Sequence, residues 1–327
     1  MKLLLGNRER PELVLYHAVS SYQLLEVILH RALYHSRDRA VLFVPDFITE
    51  KYPRIHRLIP LHFFDKVCLF PYLQIPHGSE RQVLADTAQG FHQICPYDIT
   101  EFSKIYVAGA HFYFSLYLIA NKIPFVFFED AAGMLSRWED LPRALGGRYP
   151  LHAALAEKYG LFDGSNPCIT SVICLKRAQS RDVSGEKYRD FSVEDALQAL
   201  PARRRGKLIR FFVRKKIHTK AQTILLTQQF ANLGLMSEAQ QEHLYRGLSE
   251  TLLRQVRLAV KKHPDDTLDY RKIFPDAEIL PGVFPCELLP YVFDRKPDRI
   301  FTFDSTGCEN LKHHFAITTI RRDCYAE

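Results

Sequence analysis

The sequence predicts an α/β protein of two domains, each a parallel β-sheet covered by helices. Three observations carry this. Short, wholly apolar runs alternate with stretches whose apolar residues recur at helical spacing, the pattern of strands buried on both faces. The alternation stops near residue 178, gives way to a polar and then strongly basic stretch, and restarts near residue 221. At 327 residues the chain is long enough for two units of ordinary size. The expected division is therefore 1–178, a basic connection over 179–220, and 221–327.

In the first unit, Leu13-Val14-Leu15-Tyr16 reads as a buried strand. A small-residue turn follows, with Ser20 or Ser21 as N-cap of a helix over 22–33. This turn lies at the carboxyl end of its strand, where open parallel sheets bind ligands. Further strands are expected at 40–44, 66–70, 104–108 and 124–128, with a helix over 111–120 before the last. The last strand ends in Glu129-Asp130-Ala131-Ala132-Gly133. Burial and a like-charged neighbour both raise a carboxyl pKa, so one of this pair is a candidate general base. An acidic helix start is the competing explanation.

The connection holds Arg203-Arg204-Arg205-Gly206-Lys207 and Phe211-Phe212-Val213-Arg214-Lys215-Lys216. From Arg203 to Lys220 it is a candidate surface for peripheral contact with anionic lipid, or else a solvated linker. Nucleic acid is not the expected partner, because one basic cluster without a binding motif is weak support.

In the second unit, residues 221–229 restart the strand pattern and end at Gln228-Gln229. Leu244, Leu248, Leu252, Leu253, Val256 and Val260 recur at helical spacing and predict a helix from Ser237 to Lys261-Lys262, closed by His263-Pro264. A hydrogen-bonding ring beside two ammonium groups suits a phosphate. Strands are expected at 277–280 and 299–303, with Glu287 in a helix's first turn and Ser305-Thr306-Gly307 at the start of another, preceded by Asp304. Such hydroxyls beside backbone N–H groups suit an anion, though capping alone also explains them.

Composition sets limits. Hydrophobic content of 47% with 25% charged residues is ordinary for a soluble protein, and the net charge of +7 favours an anionic partner. Seven cysteines without a CxxC pair indicate neither a zinc site nor a disulfide framework, and point to free thiols in a reducing cytoplasm. No stretch reaches the roughly 18 apolar residues that span a bilayer. The opening Met1-Lys2-Leu3-Leu4-Leu5 run is broken at once by charges, so it is not read as a secretory signal. A cytoplasmic protein, with the basic stretch facing the membrane's inner surface, is expected.

The order acidic pair, then His263-Pro264, then Ser305-Thr306 resembles the bacterial sialyltransferases. The stretches 16–25 and 224–228 resemble glycosyltransferase family 52, which includes lipooligosaccharide sialyltransferases, with the polysialyltransferase family second. The resemblance implies the GT-B fold, two Rossmann-like domains facing a central cleft. It implies metal-independent, inverting transfer of sialic acid from CMP-sialic acid to a glycan hydroxyl, with no cofactor; the sequence leaves the oligomeric state open, a homodimer being one assembly. Asp130 would then be the base and His263 would hold the donor phosphate with Ser305 and Thr306. Glu287 would bind ribose, and Pro264 and Gln228 would complete the donor site. The pattern departs at Ala131, where the family has glycine, which leaves Glu129 open as the base. The alternatives are another nucleotide sugar, such as CMP-Kdo or a UDP-hexose, or a non-catalytic nucleotide- or nucleic-acid-binding protein.

Overall fold

A computed structural model describes residues 11–76, 78–109, 112–147, 149–303 and 305–322. The amino-terminal Met1 run, His111, Asp304 and Cys324 lie outside these residues. The first sheet has seven strands: β1 Leu13–His17, β2 Arg39–Pro45, β3 Lys66–Phe70, β4 Lys104–Ala108, β5 Phe125–Phe128, β6 Ile169–Cys174 and β7 Tyr188–Asp190. The second has five: β8 Thr223–Leu226, β9 Leu258–Lys261, β10 Glu278–Ile279, β11 Arg299–Thr302 and β12 Ala316–Thr319. Their orders are β3-β2-β1-β4-β5-β6-β7 and β10-β9-β8-β11-β12, with every neighbouring pair parallel.

Both sheets therefore wind outward in two directions from their first strand. The reversal lies between β1 and β4 in one and between β8 and β11 in the other. Successive connections part company there, which opens a crevice at the carboxyl ends of those strands. Helix Ser21–Tyr34 leaves β1 through a capping box, with Ser20 accepting from the Gln23 N–H and Gln23 accepting from the Ser20 N–H.

Three apolar cores hold the molecule. One lies on the outer face of the first sheet around Phe43, Phe91 and Phe114, and another on the outer face of the second around Tyr245 and Phe301. The third is shared, running from Tyr16 and Leu25 through Leu197 and Leu208 to Ile224, Leu288 and Ile300.

The structure corrects several expectations. The helix from Ser237 spans only Glu238–Glu250, and residues 258–261 form β9 rather than its end. Val256 and Val260 continue the helical spacing of Leu252 and Leu253, but Leu258, Ala259 and Val260 are all buried, as a central parallel strand requires. Strands β6, β7 and β12 have no counterpart in the expected set, and β7 falls within the expected connection. Part of the basic stretch is a helix, Ala202–Phe212, that buries Leu208 and Phe212. Within it Arg204 donates to the carbonyls of Ala32 and His62, and Arg205 to that of Leu197. The six described cysteines are free thiols. Among the described residues no helix is long and apolar enough to cross a membrane.

Candidate functional site

A cavity of about 340 Å³ lies where the carboxyl edges of the two sheets meet, within the usual range of ligand pockets. The first domain contributes Ser20 to Tyr22 after β1, Lys51 after β2, and Asp130 to Ala132 after β5. The second contributes the loops after β8, β9, β10 and β11. His263, Pro264, Glu287, Ser305, Thr306 and Asp130 all line this one space, although up to 176 positions separate them in sequence.

The loop after β9 is built around Asp266. Its buried carboxylate accepts from Gln241 Nε2 at 3.0 Å, the Leu268 N–H at 3.2 Å, Thr227 Oγ1 at 3.2 Å and Tyr270 Oη at 2.5 Å. Thr227 Oγ1 in turn accepts the His263 N–H at 2.9 Å. Replacing Asp266 with Ala strands four donors in or near the core. We expect a loss of about 3 kcal/mol in chemical denaturation, with His263 losing the support of Thr227 alongside.

His263 itself is half-buried. The Asp265 N–H donates to its Nδ1 at 3.2 Å, so in the neutral ring Nε2 carries the proton and is the donor. Burial holds the imidazole down to about 4, with Lys261 and Lys51 adding to that and Asp265 opposing. At neutral pH it is a neutral hydrogen-bond donor rather than a cation.

Lys261 supplies the charge. It is 5% exposed, its ammonium lies 4.4 Å from the centre of the Phe284 ring, and it donates to the Lys262 carbonyl at 3.3 Å. Burial lowers its pKa to about 8, opposed by nearby Cys286 and Glu287. Glu287 is pushed up to about 7 by burial, against its own N–H, Cys286 and Lys261. Its Oε2 has no hydrogen-bond partner among the described residues. Gly307 presses on this group: a Cβ there would meet Cys286 Sγ at 2.3 Å and Glu287 Oε1 at 3.1 Å. Ser305 precedes a short 3-10 helix, Thr306–Asn310, and its side chain does not cap it. The capping explanation for that hydroxyl is thereby removed.

The acidic pair divides cleanly. Glu129 is 1% exposed and turned away from the cavity, accepting from the Leu175 N–H at 2.7 Å, Gln179 Nε2 at 2.7 Å and the Leu135 N–H at 3.3 Å. Burial raises it to about 7 against those bonds. It braces the loops after β5 and β6, which corrects its candidacy as a base. Asp130 lines the cavity, and its Oδ1 accepts from Gln23 Nε2 at 2.8 Å. Gln23 thus ties the turn after β1 to the end of β5. Gln228 is also corrected: it does not line the cavity, its N–H donates to Tyr245 Oη at 2.7 Å, and its neighbours Thr227 and Gln229 line the cavity instead.

Behind the cavity sits Glu26, 1% exposed in the middle of helix Ser21–Tyr34, with Oε2 unpartnered among the described residues. Burial, then Glu129 and Glu287, raise its carboxyl well above the usual range. A sign follows for stability. The folded chain keeps a proton that the unfolded chain releases above about pH 4.3, so wild-type stability falls as pH rises from there toward the folded pKa. Glu26→Gln has no proton to lose. Its melting temperature should exceed that of the wild type, by more at about pH 8 than at about pH 5.

One described group of metal-type ligands exists, Glu12, His35 and Asp38, with ligand atoms within 4.8 Å of one another. It lies at the amino edge of the first sheet, opposite the cavity.

The architecture has known counterparts. The glycotransferase of kitacinnamycin superposes with a TM-score of 0.52 at 12% identity, covering 96% of this chain and 81% of its own. A UDP-GlcNAc 2-epimerase of Methanocaldococcus jannaschii, in complex with UDP-GlcNAc and UDP, gives 0.55 at 12% identity over 95% and 90%. A Medicago truncatula protein complexed with UDP-glucose gives 0.54 at 11% over 95% and 80%. The chain has the GT-B fold. No family model matches it. An uncharacterized protein of Haemophilus influenzae is 29% identical over 84 residues, so the chain spans about a quarter of that curated relative (27%) and the match covers 26% of this chain. The resemblance to family 52 sialyltransferases is corrected by these findings, since the structural likeness runs to UDP-sugar epimerases and glycosyltransferases.

Sequence reasoning placed the Lys261 ammonium beside His263 but missed its burial, and missed Asp266, Thr227, Gln23, Glu26 and Lys51 as parts of the site. Only Glu26 left a signal, a charge within Leu24-Leu25-Glu26-Val27-Ile28.

Proposed function

We propose that this protein is a glycosyltransferase that moves a sugar from a UDP-sugar to an acceptor hydroxyl, by a single inverting displacement without a metal. The observation that carries the reading is the set of groups converging at the second sheet's reversal point. His263 Nε2–H and the Lys261 ammonium come from the end of β9 and its loop, and the Ser305 and Thr306 hydroxyls from the loop after β11, which suits a diphosphate. Glu287, with a buried oxygen lacking a partner, suits the ribose hydroxyls. The UDP-bound proteins of the same fold support the choice of nucleotide.

In this reading Asp130 takes the proton of the acceptor hydroxyl as its oxygen attacks the anomeric carbon. The bond to the diphosphate oxygen breaks, and UDP leaves with the electron pair. His263 and Lys261 hold the charge that grows on the departing phosphate.

Lys261 gives this a pH signature. Above about pH 8 it loses its proton in the free protein, and an anion prefers the charged form, so UDP affinity should fall between about pH 7 and about pH 9. Lys261→Met should bind weakly at about pH 7 and show little further loss. Titration calorimetry across that range checks both.

The functional test is UDP release from a panel of UDP-sugars, with and without hydroxyl acceptors. Acceptor-dependent release supports the proposal. Acceptor-independent epimerisation of the sugar would replace it with the epimerase reading, and UDP binding without turnover would replace it with a non-catalytic one.

A further inference from the structure

A second and larger cavity, about 660 Å³, lies between the domains beside the first. The two meet at Lys51, which lines both, and along the loop from Pro281 to Pro285. Its floor is apolar: Tyr52, Phe212, Ile217 and Leu280 are each buried, with the Tyr52 and Phe212 rings edge to face at 5.4 Å. Its rim is cationic. The segment bearing Arg214, Lys215 and Lys216 is no loose linker, because the Ile217 N–H donates to the Val292 carbonyl at 2.7 Å and the Asp294 N–H to that of Ile217 at 3.2 Å.

Part of the rim's charge is already spent. Lys216 donates to the Tyr291 carbonyl at 2.5 Å and His218 faces Asp294 at 3.4 Å. Glu278, the one acid on this lining among the described residues, accepts from the Lys220 N–H at 2.9 Å. Arg54, Arg214 and Lys215 make no side-chain ion pair among the described residues. Three like charges held over an apolar floor repel one another and are relieved by an anion. The low-polarity wall strengthens that attraction relative to open water.

We propose that this cavity anchors the acceptor, and that its ligand is a phosphate ester on an apolar stem. The phosphate pairs with Arg54, Arg214 and Lys215 while the stem covers Tyr52, Phe212 and Leu280. Its place beside Lys51 would set the rest of the acceptor toward Asp130. The acceptor role rests on the donor reading above, whereas the binding of such an ester does not.

Calorimetry on the full chain tests it, with dodecyl phosphate below its micelle concentration as probe. Dodecyl glucoside, inorganic phosphate, and vesicles of phosphatidylglycerol are the comparisons. Dodecyl phosphate should bind at least about ten-fold more tightly than either the neutral glycoside or free phosphate. It should weaken by about ten-fold in the Arg54→Gln, Arg214→Gln, Lys215→Gln triple variant, with UDP binding unchanged. Equal binding of the glycoside, equal binding of inorganic phosphate, or an unaffected variant each overturns the proposal. Binding to vesicles without binding to the dispersed ester also overturns it, in favour of surface docking. UDP binding without ester binding sinks this proposal alone, and ester binding without UDP binding sinks the donor reading alone.

Discussion

Asp130→Asn should lower transfer by about 10²–10⁴-fold while UDP affinity stays within about two-fold. The asymmetry follows from where the carboxylate sits. Asp130 comes from the first domain and lines the side of the cavity facing the donor loops, so removing its charge leaves His263, Lys261 and Glu287 in place. The substitution is also nearly isosteric. Asparagine keeps an oxygen to accept from Gln23 Nε2, which holds the group in position at 2.8 Å, so the loss reports basicity rather than misplacement. Single-turnover transfer together with UDP calorimetry checks both halves. Full transfer by the variant would remove Asp130 as the base. Glu129 could not inherit the role, since three hydrogen bonds hold it away from the cavity.

His263→Ala should affect both steps. Its Nε2–H is a donor fixed by the Asp265 N–H on the opposite nitrogen and by Thr227 beneath the backbone. Loss of one neutral donor to a bound phosphate weakens UDP by about ten-fold. The cost in turnover should be larger, about 10²–10³-fold in kcat, if charge on the phosphate grows as the sugar leaves in the proposed transfer. His263→Gln, which keeps an N–H donor at similar reach, should recover part of the binding and less of the rate. A variant that lost binding but kept kcat would place His263 in ground-state recognition alone.

Much of this site was legible in the sequence as loops, and little of it as atoms. Alternating apolar runs located β1 to β5, β8 and β11, and polar residues after such strands must fall on the carboxyl edge. That is why Asp130, His263, Glu287 and Ser305-Thr306 reach one cavity. The same topology explains why the order of three short motifs misled on the nucleotide. Any nucleotide-sugar ligand of this fold needs polar groups at those edges, so their order reports the fold and leaves the base unread.

Other errors have local causes. Residues 256–260 satisfy helical spacing by chance, and a four-residue buried strand is too short for periodicity to distinguish. Gln228 and Glu129 are each one position from a lining residue, because successive side chains leaving a strand point to opposite faces. Asp266, Gln241 and Tyr270 form a network only once the loop after β9 folds over helix Glu238–Glu250, and spacing carries no trace of it.

In the proposed reading the loops of the second domain hold a uridine diphosphate. Titration calorimetry of the full chain with UDP, and with CMP as comparison, tests it most directly. UDP should bind with micromolar affinity and CMP at least about ten-fold more weakly, and both the Lys261→Met and His263→Ala variants should reduce the UDP heat. No measurable UDP binding, or UDP affinity unchanged in both variants, would contradict it.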